Sequence, residues 1–379
     1  MQRNHKELVL WHEFDGPGDT SIEVLEGICK LYTERFGIQV TPQVMNITEL
    51  IAGLNRIKDT RQGPQLAMVP ADMSSYVGNG LYSEVPGGLF ADVLTESALS
   101  TMQVNGVQYG VPVLRGNHLV VYYNTEIYAS PPTAWDIFEE AAEQLSAQGI
   151  VPIGADLQQG YWFIPFLSAF GGWPVEAGKP NLATSEMKQA LHFIRNKMDQ
   201  GVLTSLDGSN GLLEQFIDGK VGAIICGEWI YNHLDKHMKH KLGVCQLPVI
   251  AGRQSLSMSS SIGLLYPNHS LASEERDHIL SFTRFMLSEE CQSMWAFQVQ
   301  RIPAHEKVQN RLAASAAPNK KKILSLLDHA RPMPNDSFMI HIWEALSAGL
   351  TELSMSNPEQ ALQQIDLTIQ KSLSAFQSQ

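Results

Sequence analysis

The sequence predicts an α/β protein with two lobes, each built on a mainly parallel sheet flanked by helices. Three observations lead to this prediction. The chain has 379 residues, 44% of them hydrophobic and 17% charged, which is enough for two hydrophobic cores. Apolar strand patterns alternate with amphipathic helix patterns over residues 7–69, and they do so again over residues 151–247. Because parallel strands need a crossover between them, this alternation indicates helix-covered sheets.

The first alternation carries clear start and stop signals. Thr20 and Glu23 form a Thr-x-x-Glu pattern that predicts a capping box at a helix start. Gly37 predicts the end of that helix, because glycine suits a left-handed C-cap. Asn105-Gly106 predicts a tight hairpin turn. The strands and helices predicted before that turn are Glu7–Phe14, the helix ending at Gly37, Ile38–Thr41, Ile47–Ile57 and Gln65–Val69.

The second alternation ends on an informative segment. Gly219 predicts a left-handed helix end, and the apolar run Val221–Cys226 predicts a buried parallel strand that presents Glu228 and Trp229 at its tip. Ligands bind at that end of strands in open α/β sheets. The tail from Leu271 has a helical pattern and is predicted to serve both lobes. The other predicted elements are Leu119–Tyr123, Trp135–Leu145, Val151–Gly154, Ile164–Phe170, Met187–Met198, Leu212–Ile217 and Gly243–Leu247.

Composition excludes several classes of partner. The formal net charge of -12 and the pI of about 5.5 argue against nucleic acid and anionic membranes, since both require a basic face. No apolar run is long enough to span a membrane, so direct membrane insertion is not expected. The four cysteines lack zinc-site spacing and are expected to be free thiols, with a Cys226–Cys245 bridge as the alternative.

Signatures of enzymes are scarce in this sequence. Nucleotide-binding, zinc-protease and serine-hydrolase motifs do not occur. Glu13 and Asp15 could form the carboxylate pair of a glycosidase, but acceptors for ligand hydroxyls are the favoured interpretation. The run Lys320–Lys322 is interpreted as a solvated helix face. No enzyme activity, cofactor or metal is therefore predicted.

Aromatic residues beside amides and carboxylates recur at element ends. Tyr161, Trp229 and Trp343 all stand in such positions. A pyranose packs its CH face on an aromatic ring, while its buried hydroxyls need hydrogen-bond partners. Core packing is the alternative for each ring alone, but three such sites together favour a shared carbohydrate-binding cleft.

Several motifs, in collinear order over nearly the whole chain, resemble the extracellular solute-binding proteins of ABC sugar importers, specifically the maltose-binding-protein branch. Each motif is weak alone, and their order and spacing are specific. They are Gly63–Gln65, Ala67–Asp72, Leu81–Val85, Asn105–Pro112, Tyr122–Asn124, Ala169–Gly172, Phe216–Trp229 and Arg331–Asn335.

The resemblance implies a two-lobed periplasmic-binding-protein fold of type II that closes on a sugar by hinge motion. It implies an N-terminal lobe of residues 1–115 plus 263–312 and a C-terminal lobe of 119–258 plus 320–379. The hinge or crossover segments would then be 116–118, 259–262 and 313–319. The implied partners are a sugar and the membrane subunits of an ABC permease, and the protein is expected to be a monomer.

The same resemblance implies a set of ligand-binding residues. Asp72 falls on a hydroxyl-binding aspartate of the family, and three aromatic residues fall on its stacking rings. Gln159 replaces a glutamate and Glu228 a proline, so maltose itself is not assumed. The full set is Glu13, Asp15, Asp72, Asn117, His118, Gln159, Tyr161, Glu228, Trp229 and Trp343.

The family is secreted, yet Met1–Leu8 lacks the apolar core of a signal peptide. A periplasmic or extracellular protein whose leader has been removed is the expectation, and a cytoplasmic relative is the alternative. Two other functions stay open: a ligand-sensing domain of a regulator, and a glycan-acting enzyme that uses Glu13 and Asp15. A non-sugar ligand is a further alternative.

Overall fold

The computed structural model of the chain describes residues 7–58, 60, 63–206 and 211–377. The chain divides into two compact units. Unit 1 contains residues 1–117, 259–317 and 335–337, and unit 2 contains residues 118–258, 318–334 and 338–379. The lobe boundaries given above stay a prediction.

The predicted strands and helices occur in the predicted order, and the structure adds others that the sequence analysis did not name, among them the strands Leu203–Ser205 and Met258–Leu265. In chain order the strands are β1 Glu7–His12, β2 Gln39–Val44, β3 Leu66–Pro70, β4 Gln103–Val104, β5 Val107–Gln108, β6 Gly110–Gly116, β7 Leu119–Asn124, β8 Val151–Ala155, β9 Val175–Glu176, β10 Lys179–Pro180, β11 Leu203–Ser205, β12 Val221–Gly227, β13 Leu242–Cys245, β14 Val249–Ile250, β15 Arg253–Gln254, β16 Met258–Leu265, β17 Ile302–Pro303 and β18 Arg331–Pro332.

The α-helices cover the sheets. In chain order they are α1 Ser21–Phe36, α2 Ile47–Ile57, α3 Glu96–Leu99, α4 Trp135–Ser146, α5 Gly160–Ala169, α6 Ser185–Asp199, α7 Leu212–Ile217, α8 Tyr231–Met238, α9 Arg276–Met286, α10 Glu289–Gln298, α11 Glu306–Ser315, α12 Pro318–Leu327, α13 Met339–Met355 and α14 Pro358–Gln377. Of the tail, α9 to α11 belong to unit 1 and α12 to α14 to unit 2.

The sheet of unit 1 has the strand order β17-β6-β16-β3-β1-β2. β1 is parallel to both of its neighbours, with His12 opposite Met68 of β3. β16 and β17 add three antiparallel pairs, so this sheet mixes parallel and antiparallel strands and is not mainly parallel as predicted. The core on this sheet includes Leu10, Ile28 and Trp295, each less than 1% exposed. Because β1 and β3 run in the same direction, the residues that follow them lie at the same edge of the sheet.

The sheet of unit 2 has the order β11-β8-β12-β7-β13. The prediction of a parallel strand at β12 holds on one side only, since β12 is parallel to β8 and antiparallel to β7. β7 also separates β12 from β13. Cys226 and Cys245 therefore lie on strands that flank β7, and all four cysteines are free. The suggested Cys226–Cys245 bridge is wrong.

The local turn signals have mixed outcomes. Asn105 and Gly106 both have positive φ, at 51° and 79°, which confirms the tight hairpin. Gly37 ends α1 in the left-handed region, as predicted. The capping box is wrong: Thr20 is the N-cap of α1, but its side chain makes no capping hydrogen bond. Asp19 Oδ1 instead accepts the backbone N–H of Ser21 at 2.8 Å.

Candidate functional site

In unit 1, carboxylates collect where two parallel strands end. Glu13 and Asp15 follow β1, and Asp72 lies in the short 3-10 helix Ala71–Asn79 that follows β3. Asp19 is close enough to act on the same groups. The structure thus brings Glu13, Asp15 and Asp72 together. We call Glu13, Asp15, Asp19 and Asp72 the acidic cluster.

The acidic cluster disfavours ionisation of Glu13. Burial raises the pKa of Glu13 well above its ordinary value, and the carboxylates of Asp72, Asp19 and Asp15 raise it further. Arg301 opposes this effect. A protonated carboxyl can donate one hydrogen bond as well as accept others, which suits a ligand hydroxyl.

Asp15 and Arg301 mark the two extremes of exposure around the acidic cluster. Asp15 is exposed, and partial burial of its carboxylate raises its pKa. Arg301 is 1% exposed; its Nη1 lies 3.4 Å from Asp19 Oδ2 and donates to Ser21 Oγ at 2.8 Å. The guanidinium therefore supports the cluster from inside the unit.

In unit 2, four partly exposed aromatic side chains lie one after another in space. Trp343 of α13 is 6.0 Å from Tyr161, Tyr161 is 5.9 Å from Trp162, and Trp162 is 5.9 Å from Trp229, measured between ring centroids. Tyr161 Oη donates to the Met258 carbonyl at 3.3 Å. We call Tyr161, Trp162, Trp229 and Trp343 the aromatic row. The three aromatic residues predicted from the sequence belong to it.

Two glycines allow the rings to approach the backbone. A Cβ on Gly227 would collide with the Trp229 indole, which folds back over that residue. A Cβ on Gly160 would lie 2.8 Å from Leu346 Cβ and 3.3 Å from Trp343 Cε3. The contacts of Gly227 with the indole and of Gly160 with Leu346 are too short for an ordinary Cβ, so glycine at these positions permits the close approach of Trp229 and α13 to the backbone.

Trp162 was missed by the sequence analysis. It joins Tyr161 to Trp229 and crosses the Trp229 plane at 88°. The adjacent pair Tyr161-Trp162 at the start of α5 was the available signal. The pair places two neighbouring rings in one turn of helix, and only the tertiary structure shows that both join the row.

Gln159 lies at the exposed N-terminus of α5, one residue before the helix begins. Its Nε2 donates to Asp156 Oδ2 at 2.8 Å, and the other oxygen of Asp156 accepts the backbone N–H of Gln158 at 3.2 Å. Asp156 is 2% exposed. A buried carboxylate thus orients an exposed amide next to Tyr161.

Glu228 lies in the interior of unit 2. Its side chain has no exposed surface, and its Oε2 is 3.7 Å from Nζ of Lys320, whose side chain is 1% exposed. The prediction that Lys320–Lys322 form a solvated face is wrong at Lys320, while Lys321 and Lys322 are exposed. The side chain of Glu228 forms a buried ion pair here.

Asn117 and His118 stand at the point where the chain passes from unit 1 to unit 2. Asn117 is partly exposed and has a positive φ of 46°. His118 is fully buried, and its Nε2 lies 3.1 Å from the Ile323 carbonyl. Burial lowers the pKa of His118, which favours the neutral form of the ring. Ligand contacts by Asn117, His118 and Glu228 stay a prediction.

Groups suited to metal binding or membrane spanning are absent from the described part of the chain. No set of three or more His, Cys, Asp or Glu side chains there could hold a metal ion. Within residues 7–58, 60, 63–206 and 211–377, no helix has the length and apolarity needed to cross a membrane.

The fold and these two clusters define a binding protein of the two-lobed type II class. The family model described as "Bacterial extracellular solute-binding protein" matches residues 27–323. The chain therefore belongs to the bacterial extracellular solute-binding proteins. This membership confirms the resemblance found in the sequence, and the family acts outside the cytoplasm.

Two similar proteins are named as binders of oligosaccharides. A maltooligosaccharide ABC transporter solute-binding lipoprotein of Streptococcus pneumoniae R6 is 23% identical over 341 residues, covering 84% of this chain and 78% of the relative. A galactooligosaccharide-binding protein of Bacillus subtilis is 22% identical over 337 residues, covering 83% of this chain and 78% of the relative. Both are binding proteins.

The structure is similar to the maltose/maltodextrin-binding domain MalE from Bdellovibrio bacteriovorus bound to maltotriose. The TM-score is 0.87 at 20% sequence identity, and the match covers 97% of this chain and all of the other. This likeness confirms the predicted fold class.

Proposed function

We propose that this chain is the substrate-binding receptor of an ABC-type carbohydrate importer. The aromatic row is the observation that carries the proposal. Partly exposed rings that lie about 6 Å apart offer apolar surface to the CH groups of an oligosaccharide. The sugar-binding names of the relatives support the same ligand class.

The acidic cluster is the proposed source of contacts to sugar hydroxyls in unit 1. Hydroxyl groups are costly to bury without partners, and Glu13, Asp15 and Asp72 offer several oxygens at one sheet edge. In unit 2, Gln159 offers an exposed amide beside Tyr161. Closure on the ligand, delivery to permease subunits and a monomeric state follow from the resemblance and stay proposals.

A thermal-shift series tests the ligand class. We expect at least one of maltotriose, maltose and a galactooligosaccharide to raise the melting temperature, because a ligand that binds only the folded state stabilises it by mass action. Glucose and sorbitol serve as small comparators. If none of these compounds changes the melting temperature, the carbohydrate proposal fails.

Glycan hydrolysis is a second candidate function, which rests on Glu13. A carboxyl with a raised pKa beside a second carboxylate resembles the acid and base pair of a glycosidase. Incubation with labelled oligosaccharides and chromatography of the products separates the two functions. Turnover that Glu13→Gln abolishes would show that the protein is a glycosidase and would overturn the receptor proposal. Oligosaccharide that stays intact supports the receptor proposal.

A sensor for a regulator would bind the same sugar. Co-purification with permease subunits supports the importer, whereas transfer of the ligand signal to a kinase or regulator supports the sensor.

A further inference from the structure

The 3-10 turn Glu228–Ile230, which follows β12 and carries Trp229, is fixed by contacts on its N-terminal side. Tyr122 Oη donates to the Gly227 carbonyl at 3.0 Å, and the Glu228 N–H donates to the His118 carbonyl at 3.0 Å. The Trp229 indole lies directly over Gly227. The backbone of residues 227 and 228 therefore determines the position from which the Trp229 side chain extends.

Lys320 lies close to Glu228, the first residue of this turn, and to Tyr231, the residue that follows it. Its Nζ lies 3.7 Å from Glu228 Oε2 and 5.7 Å from the centroid of the Tyr231 ring. Glu228 precedes Trp229 in the sequence, and Tyr231 follows it by two residues. Because both charged side chains are buried, the charge of each compensates that of the other, and a displacement of either costs free energy.

Lys320 is itself held by a fixed helix. Asn319 Nδ2 donates to the Leu242 carbonyl of β13 at 2.8 Å, and the Ile323 carbonyl faces His118 Nε2 at 3.1 Å. These contacts precede and follow Lys320 on α12. The ammonium group thus has a defined position from which it constrains Glu228.

We propose that the buried Glu228–Lys320 ion pair positions the Trp229 indole, so that Glu228 supports the aromatic row and does not contact the ligand. Only the affinity part of the test rests on the proposed function. Glu228 and Lys320 are positioning residues, and removal of either partner shifts the turn that carries the ring.

A double-mutant cycle distinguishes positioning from direct contact. Maltotriose affinity is measured by calorimetry for the wild type, Glu228→Gln, Lys320→Met and the double variant, well below their melting temperatures. We expect a loss of about tenfold in each single variant and no further loss in the double variant, since contacting residues are not additive. A loss in Glu228→Gln with wild-type affinity in Lys320→Met would show direct contact. Wild-type affinity in both single variants would leave the pair a purely structural role, and either result overturns the proposal.

A second readout needs no ligand. The near-ultraviolet circular dichroism of Trp229 is obtained by subtracting the Trp229→Phe spectrum from that of the wild type. We expect this band to change in Glu228→Gln and Lys320→Met, because the indole moves relative to Trp162. If the wild type does not bind maltotriose, this band decides alone: a changed band supports the positioning role although the ligand proposal has failed, and an unchanged band overturns it.

Two exposed lysines on the same helix provide matched controls. Lys321→Met and Lys322→Met remove one charge each from the same run and should leave both affinity and the Trp229 band unchanged. Should the single variants at 228 and 320 not fold, the double variant is measured, because it leaves no uncompensated buried charge. A changed Trp229 band in that folded variant supports the proposal, and a wild-type band contradicts it.

Discussion

The acidic cluster of unit 1 and the aromatic row of unit 2 differ in their chemistry. The cluster presents carboxyl groups whose protonation depends on one another, as the raised pKa of Glu13 shows. The row contains three indoles, which carry no titratable group, and Gly160 and Gly227 leave room for the close approach of the rings and of α13 to the backbone. Under the proposed function, we expect substitutions in the row to affect the affinity for sugars most and substitutions in the cluster to affect the selectivity among them.

The largest expected effect is on the row. Trp229→Ala removes the ring that extends from the turn Glu228–Ile230 to Trp162. We expect maltotriose affinity to fall by roughly 30- to 100-fold, which corresponds to about 2 to 3 kcal/mol. Calorimetric titration measures this change. Phe297→Ala is the control, since Phe297 is a 45% exposed aromatic of unit 1 outside both clusters. Unchanged affinity in Trp229→Ala would mean that this indole only packs the protein.

A smaller effect is expected in the cluster. Asp72→Asn keeps the shape of the side chain but removes its charge, which weakens hydrogen bonds to sugar hydroxyls by about 1.5 kcal/mol, or roughly tenfold in affinity. The same substitution should lower the pKa of Glu13, because the Asp72 carboxylate helps to raise it. Selectivity among the sugars of the panel should change more than in Trp229→Ala. Equal selectivity in the two variants would remove the contrast between cluster and row.

The acidic cluster should also make the stability of the protein depend on pH, through Glu13. The folded-state pKa of Glu13 is raised, so its contribution to stability is complete below the unfolded-state pKa of roughly 4.3 and is lost as pH rises through the folded value. Glu13→Gln cannot ionise. We therefore expect its melting temperature to exceed that of the wild type by an amount that grows between pH 4 and pH 8.

Differential scanning fluorimetry over this pH range measures the effect. Glu143→Gln replaces an exposed glutamate of α4 in unit 2 and serves as the control, with a difference from the wild type that stays small throughout. A Glu13→Gln difference that does not vary with pH would contradict the account of the acidic cluster.

The smallest expected effect is at Gln159. Gln159→Ala removes an exposed amide that Asp156 orients, and a loss of about threefold in affinity is expected for one partly solvated hydrogen bond. Fluorescence titration resolves such a change. Gln158→Ala is the matched control, because the neighbouring Gln158 contacts Asp156 through its backbone N–H, which the substitution keeps. A loss as large as that in Trp229→Ala would place the main source of affinity outside the row.

Local signals in the sequence predicted much of the fold. Helix α2 has the predicted bounds Ile47–Ile57, and its N-cap Asn46 accepts the Glu49 N–H at 2.9 Å. The Asn105-Gly106 hairpin was also predictable, because both residues tolerate positive φ. These features depend on neighbours within a few residues, which is why the sequence alone specifies them.

Features that depend on distant partners could not be predicted. Lys320 lies in a run of three lysines, a pattern typical of solvent exposure, and its burial depends on Glu228, which is 92 residues away in the sequence. The first turn of α1 shows the same limit over a shorter distance: the Thr20 pattern was present, but Asp19 makes the bond to Ser21. Among the site residues, the aromatic row was partly visible because rings at element ends are a local signal.

Calorimetric titration of maltotriose and the other oligosaccharides over a range of temperatures tests whether the aromatic row binds sugar. We expect saturable binding of at least one of them, with a negative heat-capacity change from the burial of apolar sugar and ring surface on the aromatic row. Binding with no heat-capacity change, or no binding by any sugar of the panel, would contradict this expectation.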